Sequence, residues 1–276
     1  MSDSSVEQIS IQKAADGKIT EAPDKIAVEE PLEIQLTYST DTGLMHKNIA
    51  VTMRTPGHDA DLAAGFLFTE GIIVASTDID AIKRVAADDN RISVVLKENI
   101  VPVLANASRN FYSTSSCGIC GKASIEAIRT VSQFNDLPDT IQIPATVFYG
   151  LQNKLKTQQK AFEDTGGIHA SALFNLDGHF ILLREDVGRH NALDKIIGSS
   201  FLNNQLPASH CILLLSGRAS FELLQKSVMA GIKIVAAVGA PSSLAVEMAR
   251  ENGITLIGFL KDNRFNIYAG EHRITA

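Results

Sequence analysis

Hydrophobic and polar positions follow one rhythm before about residue 165 and another after it. Upstream, residues 33–38, 47–53 and 91–97 alternate apolar and polar side chains, the period of strands with one buried face. The turn-rich run Ser39-Thr40-Asp41-Thr42-Gly43 separates the first two. Residues 58–68 carry Leu62, Ala63, Phe66 and Leu67 at helical spacing behind Thr55-Pro56-Gly57, with Gly71 as a stop, so a helix is predicted there. Further helices are predicted over 122–132 and from Pro144 to about residue 159. Residues 1–24 show no sustained period and are rich in Ser, Asp, Glu and Lys, which predicts a flexible tail.

Downstream, residues 172–176 and 180–183 flank the hairpin turn Asp177-Gly178. Three apolar runs then follow, 211–215, 233–238 and 254–260, connected through helical patterns at 221–229 and 244–251. Strands joined through helices run parallel, so an α/β layer is expected. The chain divides into a tail (1–24), a small α+β N-terminal unit (25–110), a loop (111–124) and an α/β core (125–276).

Composition narrows the class. With 276 residues, 45% of them hydrophobic, the chain can bury a large core. No uninterrupted apolar run approaches the roughly 18 residues that span a bilayer. Residues 1–20 are polar and lack an apolar signal core, and three cysteines cannot build a disulfide framework, so a reducing cytoplasm is the expected location. A net charge of −6 argues against general nucleic-acid binding.

Two of the three cysteines sit in Ser115-Ser116-Cys117-Gly118-Ile119-Cys120-Gly121, where small neighbours present sulfur rather than bury it. Such a pair can be a dithiol couple, half of a zinc site or a persulfide carrier with a resolving partner. A closed zinc site needs a second short-spaced pair of ligands, which the sequence lacks, and no structural metal is expected. Cys211 opens an apolar strand and reads as buried and inert.

The remaining polar chemistry falls at predicted strand ends, the place where α/β sheets bind ligands. The four ends are Arg184-Glu185-Asp186-Val187-Gly188-Arg189-His190-Asn191, Ser216-Gly217-Arg218, Gly239-Ala240-Pro241-Ser242-Ser243 and Lys261-Asp262-Asn263-Arg264. Gly188, Gly217 and Gly239 allow close backbone approach, while Arg184, Arg189, Arg218, Lys261 and Arg264 suit phosphate. The bland alternative is ordinary solvated loop charge. Asn191 is a candidate cap for the next helix, and His190 and His169 are each either junction residues or functional ones.

These motifs, with Thr165-Gly166-Gly167-Ile168-His169 and Ala192-Leu193-Asp194-Lys195, resemble the formate dehydrogenase accessory sulfurtransferase family FdhD over residues 26–268. The resemblance implies a cytidine-deaminase-like three-layer core that has lost deaminase chemistry, in a cytoplasmic homodimer. It implies a sulfurtransferase that takes persulfide sulfur from a cysteine desulfurase. That sulfur goes to the molybdenum (or tungsten) bis-pterin guanine dinucleotide cofactor before its insertion into formate dehydrogenase. By resemblance Cys117 matches the persulfide position, and Phe259, Leu260, Lys261, Asp262, Asn263 and Arg264 match a cofactor-binding segment; thiol chemistry makes Cys120 the expected resolving partner. Arg189, His190, Gly217, Arg218 and Gly239 are the rim candidates for the same ligand. A non-enzymatic chaperone that shields the cofactor is the competing class.

Overall fold

The computed structural model describes residues 5–85, 90–104, 132–134 and 140–276. Its central layer is a six-stranded sheet ordered β13-β12-β11-β10-β8-β9. The strands are β8 (His169–Asn175), β9 (Phe180–Asp186), β10 (Cys211–Leu215), β11 (Ile234–Ala237), β12 (Thr255–Gly258) and β13 (Asn266–Ala269). β10, β11 and β12 are parallel, as the crossover reading predicts. β8 runs against β10, and β9 runs against β8, so β9 again points the same way as β10. The carboxyl ends of β9, β10, β11 and β12 therefore share one edge.

Period-two alternation sorts this sheet's side chains onto two faces. Leu213, Leu215, Val235 and Leu256 join α4 (Arg189–Leu202), α5 (Phe221–Met229) and α6 (Ser243–Glu251) on one side. Ile212, Leu214, Ile234 and Ile257 meet Phe148, Leu151 and Leu155 on the other. That second face is covered by a 3-10 turn (Ala145–Phe148) and α2 (Leu151–Lys156), with α3 (Lys160–Thr165) following. A single helix was expected over 144–159. Gly150, at φ 77°, breaks it, because a left-handed residue cannot continue a right-handed helix. Short strands β7 (Ile143–Pro144) and β14 (Ile274–Thr275) pair beside it.

A four-stranded sheet, ordered β4-β3-β6-β5, forms the N-terminal part. It comprises β3 (Glu30–Thr40), β4 (Gly43–Arg54), β5 (Ile79–Arg84) and β6 (Arg91–Leu96). Its inward Leu32, Ile34, Leu36, Ile92 and Val94 belong to the same apolar cluster as the helices of the larger sheet. The N-terminal unit thus has no core separate from the α/β part.

The joint is α1 (Asp59–Thr69) crossing α4. A Cβ at Gly65 would overlap the Asp194 carbonyl, and one at Gly198 would overlap the Asp61 carbonyl, so the two backbones touch through paired glycines. Beside this crossing the buried Lys226 ammonium donates to both Asp194 carboxylate oxygens and to Thr69 Oγ1, each at 2.9 Å. Desolvation pulls that ammonium toward neutrality, but Asp194 and Glu70 more than offset it and hold its pKa above the usual lysine value.

Residues 6–27 depart from the expected tail. They form an antiparallel hairpin of β1 (Val6–Ala15) and β2 (Lys18–Ala27) in unbroken register. Asp16 and Gly17 both have positive φ, 51° and 72°, the two-residue turn that matches strand twist. Polar residues on both faces gave these strands the composition of a disordered segment. The hairpin is tied to α3 by Lys25 and Asp164 at 2.6 Å. Cys117, Cys120 and most of the predicted 122–132 helix lie outside the described residues.

Candidate functional site

The shared strand edge is built first from residues that hold it together. Asp186, fully buried at the end of β9, accepts the Gly188 N–H at 2.8 Å and the Thr55 N–H at 3.2 Å, and pairs with Lys195 Nζ at 2.7 Å. Lys195 also donates to the Thr55 carbonyl at 2.8 Å. Burial pushes the Asp186 pKa up from the ordinary carboxylate value, with Lys195 opposing. The β9-to-α4 junction is thereby fastened to the β4-to-α1 junction.

Two expectations for this junction are corrected. Arg184 is not a rim cation: its Nε and Nη2 donate to Asp61 Oδ2 at 3.0 and 2.8 Å, across to α1. Asn191 does not cap α4: its amide donates to the Met53 carbonyl at 2.7 Å and to Asp186 at 3.2 Å. The cap position is Gly188, which uses backbone alone. Both residues have partners more than 120 positions away in the chain, which local pattern does not reveal. Glu185 accepts the Ala161 and Phe162 N–H groups at 3.0 and 2.9 Å and so pins the start of α3.

The cations that remain at the edge are Arg189, Arg218, Lys261 and Arg264; none forms an ion pair among the described residues. Arg218, Lys261 and Arg264 are exposed, and Arg189 is half-buried. His190 is buried, with Nε2 4.0 Å from Glu222 Oε2. Gly239 sits tightly against Arg218, where a Cβ would come within 3.0 Å of Arg218 Cγ. Its N–H donates to the Gly217 carbonyl at 2.9 Å and its carbonyl accepts from Phe259 N–H at 3.0 Å, stitching three strand ends together. Leu260 is fully buried, the Lys261 N–H donates to the Arg264 carbonyl at 2.9 Å, and Asp262 accepts from Asn153 of α2 at 2.9 Å. Asn263 is exposed at the tip of that turn.

Beside these cations lies a pocket of about 510 Å³ between α2, α3 and the sheet edge. Leu155, Ile168, Val187 and Val238 give it an apolar floor, and Gln152, Lys156 and His169 add polar groups. Its size and mixed lining suit a small organic ligand. Burial and the nearby Arg189 lower the His169 pKa below its usual value, so the ring is neutral at neutral pH. His169 was visible in the Gly166-Gly167-Ile168-His169 motif. Gln152 and Lys156 were not, because their position depends on the break at Gly150.

What fold and edge define together is a mixed α/β protein with a glycine-stitched, cation-bearing rim next to an apolar-floored pocket. The profile of the FdhD/NarQ family matches residues 27–275. The chain is 47% identical over 265 residues to the sulfur carrier protein FdhD of Mycolicibacterium paratuberculosis, covering 94% of each chain. It is 40% identical over 269 residues to the sulfur carrier protein FdhD of Sulfolobus acidocaldarius, covering 98% of each. A crystal structure described as that of a formate dehydrogenase accessory protein from Desulfotalea psychrophila superposes with a TM-score of 0.71 at 22% identity, over 98% of this chain and 99% of that one. The chain belongs to the FdhD/NarQ family.

Proposed function

We propose that this protein is a cytoplasmic, homodimeric sulfurtransferase that moves persulfide sulfur from a cysteine desulfurase to the molybdenum bis-pterin guanine dinucleotide, the cofactor destined for formate dehydrogenase. The observation that carries the reading is the rim: four cations without ion-pair partners among the described residues, at the ends of three of the four co-directed strands, in a chain that also holds a Cys-x-x-Cys loop. Two pyrophosphates and two guanines are the kind of ligand such an edge would hold. The six-stranded layer is read as cytidine-deaminase-like, without the deaminase acid: Ser171 stands two residues after His169 where a glutamate would be required.

In this mechanism the Cys117 thiolate attacks the outer sulfur of the donor's persulfide and expels the donor thiolate. Cys120 then attacks the inner sulfur, closing a Cys117–Cys120 disulfide and releasing hydrosulfide to the metal of the substrate. The disulfide is afterwards reopened by a cellular dithiol.

Sulfur-free formate dehydrogenase apoenzyme should be activated by the purified protein together with desulfurase, cysteine and cofactor. Replacing Cys117 and Cys120 by serine should abolish that activation. Full activation by the double variant would instead establish the shielding chaperone. Separately, Arg189→Glu or Arg264→Glu should weaken binding of guanosine diphosphate about tenfold or more and flatten its salt dependence. Unchanged titrations across a salt series would remove those residues from the site.

A further inference from the structure

The β1–β2 hairpin leaves one of its edges ready for another strand. It forms a sheet of two strands only, a size that is marginal in water without further pairing or a packed face. The face toward α3 is marked by Lys25, which reaches Asp164 at 2.6 Å and pairs with Gln8 across the hairpin. Alternation puts Ile9, Ile11, Ala22 and Ile26 on the opposite face, and neither apolar cluster includes them. All four stay partly open to solvent.

The two edges differ. The Val28 N–H donates to the Ser5 carbonyl at 3.0 Å, so in this register odd-numbered residues of β1 exchange bonds with β2. Even-numbered residues of β1 and odd-numbered residues of β2 therefore turn their N–H and C=O groups outward. Pro23 falls at an outward position of β2, where it costs the hairpin no bond and denies that edge a donor. β1 contains no proline, and Gln8, Ser10 and Gln12 give it an unblunted edge.

We propose that β1 pairs antiparallel with β1 of a second copy of this chain, about a two-fold axis at Ser10, joining two hairpins into a four-stranded sheet. The strand is complementary to its own reverse. With Ser10 opposite itself, Gln8 meets Gln12 of the second copy, and these are the positions whose backbone groups face out. Glu7 then stands opposite Lys13 of the second copy and Ile9 opposite Ile11, in the non-hydrogen-bonded pairs where cross-strand side chains come closest. A slip of two residues either way sets Glu7 against Ile11 or Ala15 and loses both ion pairs, so the register is specified. Two-fold symmetry makes every contact twice. The inference rests on the homodimer in the reading above and gives it a face. Because the hairpin lies almost wholly ahead of residues 27–275, which the family profile matches, the contact adds to any made by the family's common body.

Sedimentation velocity of the full chain over a concentration series tests this pairing. Ser10→Pro gives β1 the device that β2 already carries, at a position whose N–H the hairpin does not use, and should raise the dimer dissociation constant about tenfold or more. Glu7→Lys and Lys13→Glu each set like charges opposite one another and should each weaken the dimer about tenfold at low salt. An equimolar mixture of those two variants should regain the wild-type affinity, because each like-charged strand then meets its opposite. A wild-type dimer that none of the three variants weakens, or charge variants that do not recover on mixing, overturns the edge pairing while the homodimer stands. A wild-type chain that stays monomeric at every concentration overturns both.

Discussion

Gly198→Leu is expected to leave little folded protein, and Gly198→Ala to lower stability by at least about 3 kcal/mol. For a chain of this size that corresponds to a drop of roughly 6–12 °C in melting temperature. The added methyl would meet the Asp61 carbonyl, a backbone atom with no rotamer to escape into. Relief requires α1 and α4 to separate, which would also disturb Thr69, Asp194 and Lys226 at 2.9 Å contacts beside the crossing. Gly65→Ala meets the Asp194 carbonyl from the opposite helix and should be similarly harmful. Because both substitutions force apart the same pair of helices, their combination should fall short of the sum. Gly167→Ala is the control: its added methyl would find only the Thr165 carbonyl at 3.8 Å, and its stability should stay within about 0.5 kcal/mol of wild type. Urea melts of the four variants decide the matter, and a wild-type midpoint for Gly198→Ala would refute the close crossing.

Cys117→Ala should lose sulfur loading altogether. After incubation with desulfurase and cysteine, the intact-protein mass of the wild type should show one added sulfur and that of Cys117→Ala none. Cys120→Ala should still load, because the first attack needs only one thiolate, but should accumulate the persulfide and activate apoenzyme slowly. Loading should also accelerate as pH rises toward the ordinary thiol pKa of about 8.5, since only the thiolate attacks. Undiminished sulfur on Cys117→Ala, with loss on Cys120→Ala, would exchange the two roles.

Local periodicity carried the central sheet well. The strand 211–215 and the helix 221–229 agree with β10 and α5, and the co-directed strand ends follow from the crossovers between them. Where the sequence misled, the deciding partner was distant or the signal was a single turn. Asp16-Gly17 was the legible mark of the N-terminal hairpin, outweighed by the polar composition around it. Arg184 read as a ligand for phosphate because nothing nearby announces Asp61, which reaches it from a different layer. The cation-bearing edge was legible because strand ends can be counted along the chain. The pocket beside it was not, since it depends on how α2 and α3 fold back after Gly150.

The Asp186–Lys195–Thr55 cluster has a mechanical corollary. It bolts the β9 end of the rim to the N-terminal sheet, whereas the Phe259 end is fastened within the larger sheet, through the Gly217–Gly239–Phe259 backbone contacts and the Asp262 bond to Asn153 of α2. The two ends are thus braced by different layers of the molecule, so loosening Asp186 or Lys195 would displace Arg189 while leaving the backbone that carries Lys261 and Arg264 in place.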